Sequence, residues 1–190
     1  MILIVARLLT INALTGLVYF LLFAAQSTAM NERYYWASLV FLPHGWRLVS
    51  FFLFRFSAIP GLFLGHLATC LYFFGQASEN FWLYVATSLV SAVALPMFYL
   101  IVKASGTDLL APRDEYPVVP WTFFAMLGVA GTLLNGTLVA TANAWYHVAP
   151  INWEQVGQYL VGDFVGAVLF VGGLIAFFRW QRHRTTGLAR

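Results

Sequence analysis

Residues 41–67 read FLPHGWRLVSFFLFRFSAIPGLFLGHL, a stretch apolar enough for a bilayer yet interrupted by Pro43, His44, Gly45, Arg47, Pro60 and His66. A helix that faced lipid all round would not carry these residues. An arginine near the bilayer centre costs at least ~2.5–3.5 kcal/mol on insertion scales, so Arg47 is expected to face a protein interior or a wet cavity and to have a partner. Proline removes a backbone donor and clashes with the preceding turn, so Pro43, loosened further by Gly45, predicts a kinked, broken or partly re-entrant helix.

The remainder of the chain sets this stretch in a membrane. Of 190 residues, 61% are hydrophobic, 18% aromatic and only 9% charged, and mean hydropathy is +0.78. These values lie far outside the range of soluble globular domains and predict an all-α, polytopic integral membrane bundle. Too little chain remains outside the apolar segments for a soluble catalytic domain. The pI of about 9.2 reflects a net charge of only +3, with most basic residues at segment ends, so nucleic acid is not an expected partner. Cys70 is the single cysteine and lies in an apolar run, so no intrachain disulfide is available. The apolar run after Arg7 is about 24 residues long, too long for a signal-peptide core of ~7–15, and is expected to be the first membrane helix.

Six spans are expected: Leu3–Ala25, Tyr35–Phe56, Ile59–Phe74, Phe81–Val102, Val119–Tyr146 and Gly157–Phe178. The third is short. Pro96 predicts a kink in the fourth, and the fifth is long enough to tilt or break near Gly128, Gly131 or Gly136. Residues 1–178 then form one transmembrane helical domain and 179–190 a short basic tail. With six crossings, Arg55, Lys103, Arg113, Arg179, Arg182, Arg184 and Arg190 fall on one side and Arg33 alone on the other. The positive-inside rule therefore puts both termini in the cytoplasm. Tyr34, Tyr35, Trp36, Trp82, Trp145, Tyr146 and Trp153 would form an aromatic belt at the outer interface, with Trp121 and Trp180 at the inner one.

At 1.5 Å of rise per residue, His44 lies roughly 13 Å and Arg47 roughly 18 Å below the outer end of the second span. The same count places His66, Asn135 and Asp163 in one layer at or above the midplane. Asp163 is the one acid clearly within a span, and pairing it with Arg47 is the simplest way to strand neither charge. Two readings stay open. The five residues are a structural clasp, or they line an outward-facing polar pocket that binds a small, anionic or other, ligand. His44 and His66 on different spans raise bis-histidine haem ligation, but no second histidine pair and no C-x-x-C-H accompanies them. No metal-ligand spacing, phosphate loop or nucleophile elbow occurs. No cofactor, metal or enzymatic activity is therefore expected. Gly61 with Gly65 and Gly162 with Gly166 stand at helix-contact spacing and are expected to let backbones approach, within one chain or in a homo-oligomer.

Several of these motifs resemble those of the membrane-associated sensor domains, MASE type one. Phe41, Pro43 and Gly45, followed by Ile59-Pro60-Gly61 and Gly65, are similar to that family's aromatic, proline and glycine pattern and its aromatic-Pro-Gly-x-x-x-Gly segment. Gly162, Asp163 and Gly166 in QYLVGDFVGAVLFV resemble its closing motif, and LLNGTLVATANAW has the family's look. The resemblance spans most of residues 35–178 and implies a bacterial inner-membrane sensory module, a class usually fused to a signalling output domain. Only 12 residues follow the last expected span, so the implied role is a stand-alone sensor or adaptor working through a partner protein. Two alternatives remain: a small-molecule-binding transport component resembling an energy-coupling-factor S component, and an accessory structural subunit of a larger membrane complex. The polar segment Lys103–Pro117 is the one inner loop long enough for docking.

Overall fold

The computed structural model describes residues 2–30, 40–75, 80–110, 121–146, 150–151 and 153–187. All regular structure among them is helical. The elements are α1 (Ile2–Met30), α2 (Leu42–Phe54), α3 (Ile59–Phe74), α4 (Phe81–Ala104), α5 (Trp121–Trp145) and α6 (Trp153–Gly187), with a 3₁₀ turn, Arg55–Ala58, joining α2 to α3. Five helical stretches, not six, are long and apolar enough to cross a membrane, because α2, the turn and α3 form one stretch, Leu42–Phe74. This is the architecture of a multi-pass membrane protein.

Taken singly, α2 has 13 residues and α3 has 16. At 1.5 Å per residue they reach about 20 and 24 Å, short of the ~30 Å hydrocarbon core. Run straight, the combined stretch would be about 50 Å long. Instead its two ends meet: the rings of Phe41 and Phe74 each lie 6.1 Å from the ring of Phe23 on α1. The second stretch is therefore a helical hairpin that returns to the end from which it started. The reversal occurs at Arg55, the one described non-glycine residue with positive φ (54°, ψ −140°). Its guanidinium holds the turn by donating from Nη2 to the Leu110 carbonyl at 3.3 Å and lying 5.7 Å over the Phe52 ring.

The break thus falls ten residues beyond Gly45 rather than at Pro43 or Gly45. Pro43 sits in the first turn of α2, where a missing N–H leaves no bond unmade, and the helix runs through Gly45 unbroken. The helix α4 likewise continues through Pro96, and α5 continues through its glycines. Past the expected end at Phe178, α6 remains helical to Gly187. Arg33, Tyr34, Tyr35, Trp36, Arg113 and the part of the Lys103–Pro117 segment beyond Leu110 lie outside the described residues.

Neighbouring pairs fix the direction of each helix. Gly61 and Gly65 at the start of α3 face Asn12 and Gly16 of α1, so these two run parallel. Gln26 caps the start of α2 by accepting from Leu42 N at 3.0 Å and donating to the Val40 carbonyl, so α2 runs antiparallel to α1. Phe41 N donates to Gly162 O at 2.8 Å, and Phe170 lies against Gly45, so α6 runs with α2. The end holding Phe23, Phe41, Phe74 and Trp153 is called upper below, and the end holding the Arg55 reversal lower.

Close approach between backbones holds the bundle, as expected where lipid competes equally for apolar side chains. A Cβ on Gly61 would lie 2.0 Å from Thr15 Oγ1, one on Gly65 2.5 Å from Gly16 O, and one on Gly166 2.1 Å from Phe41 O. These three glycines therefore pack within the chain; Gly162 contributes its carbonyl. In the lower half, Leu48, Phe51, Leu95, Tyr99, Leu109, Leu110 and Leu127 form a buried cluster.

Candidate functional site

The upper half is built differently, from polar side chains on four helices. His44 and Arg47 are three apart on α2 and so share a face, as do Thr132 and Asn135 on α5. Ser91 comes from α4 and Asp163 from α6. Arg47 is 2% exposed and Asp163 2%, so neither charge reaches solvent. Arg47 Nη2 donates to both carboxylate oxygens of Asp163 at 3.4 Å, and Nη1 donates to the Ser91 carbonyl at 3.3 Å. The Phe41 ring lies 5.5 Å from the guanidinium carbon, adding a cation–π contact.

Asp163 draws two further groups. His44 Nδ1 is 3.2 Å from Oδ2, and Asn135 Nδ2 donates to the same oxygen at 3.4 Å. On its other side, His44 Nε2 is 3.0 Å from Thr132 Oγ1, and Ser91 Oγ donates to Asn135 Oδ1 at 3.2 Å. The two ring nitrogens of His44 thus face Asp163 and Thr132, and Nδ1 makes no hydrogen bond of good geometry to the carboxylate. Arg47 and Asp163 bring one positive and one negative charge to the cluster. Removing either charge would leave the other buried and uncompensated, which costs several kcal/mol.

The structure thus brings His44, Arg47, Asn135 and Asp163 together and keeps His66 apart. His66 packs its ring 5.4 Å from that of Tyr19 and makes no hydrogen bond to the cluster. The His44 ring nitrogens face Asp163 Oδ2 at 3.2 Å and Thr132 Oγ1 at 3.0 Å. Among the described residues no three His, Cys, Asp or Glu side chains converge on a point that would hold a metal. Ser91 and Thr132 were not legible as members of the cluster: small hydroxyls in apolar helices more often bond their own backbone, as Thr69 and Thr87 do here.

His66 and the ion pair do meet at a cavity. It has a volume of about 90 Å³, room for several water molecules, and lies between the hairpin and the other four helices. Arg47, Ser91, Asn135 and Asp163 form its floor. Gln26, Ser27, Phe41, Phe74, Asn143 and Tyr159, all near the upper helix ends, form its mouth. Three buried polar atoms on lining residues have no hydrogen-bond partner among the described residues: Arg47 Nε, His66 Nδ1 and Asn143 Oδ1. Buried polar groups in proteins are nearly always paired, and three of the eight buried side-chain atoms that lack a partner among the described residues belong to residues lining this one cavity.

A second space, about 180 Å³ and almost wholly apolar, lies lower between α2, α5 and α6, lined by His44, Leu48, Gly128, Phe164, Val168 and Gly172 among others. Thus α2 separates a polar cavity on its Arg47 side from an apolar groove beside His44. No family model, no curated protein and no solved structure matches this chain.

Proposed function

We propose that the chain is a receptor-like membrane protein of the sensor or adaptor kind, which takes a small polar molecule into the upper cavity and reports its occupancy to a partner protein. The observation that carries this reading is the cavity itself, lined by a buried ion pair and by three residues with unpartnered polar atoms. Composition supports a membrane as the place of action, and the resemblance to bacterial sensory modules supports the inner membrane as that membrane. Arg55, Lys103, Arg179 and Arg182 all fall at the lower end, so the positive-inside rule puts that end in the cytoplasm and the cavity mouth outside. A continuous α6 supports the transmitting role: it carries Asp163 at the cavity floor and runs unbroken to Gly187, 24 residues and about 36 Å further on. No residue set for catalysis enters this reading.

One observation favours a second reading, that of a structural clasp in an accessory subunit. Asp163 already receives contacts from Arg47, His44 and Asn135, leaving its carboxylate nearly saturated. Ligand screening with a blocked variant separates the two. Ser27 lines the cavity mouth and is 6% exposed, so Ser27→Trp fills the mouth without touching the ion pair. Polar metabolites should raise the melting temperature of the native protein and not of Ser27→Trp. Equal responses of both proteins across the screen would leave the clasp as the function. Capture of a membrane transporter core rather than a signalling protein, by crosslinking in native membranes, would instead favour the transport-component alternative.

A further inference from the structure

We infer that the guest of the upper cavity is an uncharged molecule carrying both a hydrogen-bond acceptor and a donor, not an anion or a cation. This inference rests on the proposed function and specifies its ligand. It follows from charge and hydrogen-bond accounting at the cavity wall. The charged residues that line the cavity are Arg47 and Asp163, and they neutralise each other at 3.4 Å. His44, whose Nδ1 is 3.2 Å from the same carboxylate and whose Nε2 is 3.0 Å from Thr132 Oγ1, is not among the residues that line the cavity.

An anion entering this space would bring a net negative charge into a site whose one cation among the described residues, Arg47, is already paired with Asp163. To be held by Arg47 it would have to displace Asp163, stranding a carboxylate that is 2% exposed. A cation meets the opposite difficulty, since Asp163 already faces Arg47, His44 and Asn135 and no second acid lines the wall among the described residues. In either case a buried charge is left without a counter-charge. The atoms left over are instead those that recognise a neutral group. Arg47 Nε–H is a donor without an acceptor, Asn143 Oδ1 an acceptor without a donor, and His66 Nδ1 serves either role by tautomer. Asn143 sits two turns above Asn135 on α5, about 12 Å along the axis, so donor and acceptor are spread from floor to mouth.

Three near-isosteric probes test the inference in lipid nanodiscs by fluorine NMR: 4,4,4-trifluorobutyramide, 4,4,4-trifluorobutyrate and 4,4,4-trifluorobutylammonium. Partitioning into lipid is subtracted with the Ser27→Trp protein, whose cavity mouth is filled. The amide is expected to bind the native protein about tenfold more tightly than either ion. In Asn143→Asp, which adds one negative charge to the wall at nearly constant shape, preference should pass from the amide to the ammonium ion. Tighter binding of the carboxylate or the ammonium ion by the native protein would overturn the neutral-ligand inference while leaving the cavity a binding site. Persistence of the amide preference in Asn143→Asp would also overturn it. Identical signals from native and Ser27→Trp protein with all three probes would overturn the receptor reading itself.

Discussion

Replacing Asp163 by Asn keeps the shape of the side chain and removes the charge that balances Arg47. In the native protein the carboxylate accepts twice from Arg47 Nη2 at 3.4 Å and once from Asn135 Nδ2 at 3.4 Å, and faces His44 Nδ1 at 3.2 Å. An asparagine amide retains one acceptor oxygen and turns an NH₂ group toward those donors. The guanidinium, 2% exposed, is left with the Ser91 carbonyl and the Phe41 ring. Breaking a buried pair from one side costs about 3–5 kcal/mol. At ~2–4 °C per kcal/mol for a chain of this size, the melting temperature should fall by roughly 10 °C. Tryptophan fluorescence during heating in detergent measures it. The double replacement Arg47→Leu with Asp163→Leu should recover most of the loss, because it leaves neither charge buried. The reasoning fails if Asp163→Asn melts within about 2 °C of the native protein, or if the double variant melts lower than either single one.

Gly166→Ala places a methyl 2.1 Å from the Phe41 carbonyl and should destabilise by at least ~2 kcal/mol, whereas Gly172→Ala, with nothing within 4 Å, should be neutral or slightly stabilising; paired melting curves decide. Arg55, at φ 54° and ψ −140°, occupies backbone space that glycine enters freely, so Arg55→Gly, which loses the guanidinium contacts but adds no strain, should melt higher than Arg55→Val, which loses the same contacts and about 1–2 kcal/mol more. Below the membrane spans, the hydrogen bond from Lys103, with a second from Leu110 N, holds the Asp108 carboxyl at about 2 against an ordinary 3.8. Because the folded pKa is the lower one, its stabilisation is present above pH 3.8 and disappears as pH falls through about 2, so the difference in melting temperature between native protein and Asp108→Asn should close over that window.

Much of the bundle is legible in the sequence because the bilayer imposes a length on each apolar run. The starts of α3 and α4 fall where Pro60 and the run after Asn80 place them. Pairing of Arg47 with Asp163 is legible too, since counting 1.5 Å per residue from span ends needs no knowledge of helix packing. The hairpin is not. Prolines are the usual signal for a break, but Pro43 is harmless in a first turn, whereas the reversal uses Arg55 in a conformation that no sequence pattern marks. His66 was placed at the right depth for the cluster, yet depth does not fix rotation about the helix axis, and its ring turns to Tyr19 instead. Asn143 and Gln26 stay invisible for a related reason: near a span end, an amide is as consistent with headgroup contact as with a cavity wall.

The account stands most directly on what fills the upper cavity. A high-resolution density map of the native protein in lipid nanodiscs, with a rigid binder attached to aid alignment, would show it. The account predicts non-protein density between Arg47 and Asn143, within hydrogen-bond reach of Arg47 Nε and Asn143 Oδ1 and with the Arg47–Asp163 pair intact beneath it. A cavity collapsed by its own side chains, with Arg47 Nε and Asn143 Oδ1 bonded to protein and no density between them, would contradict it.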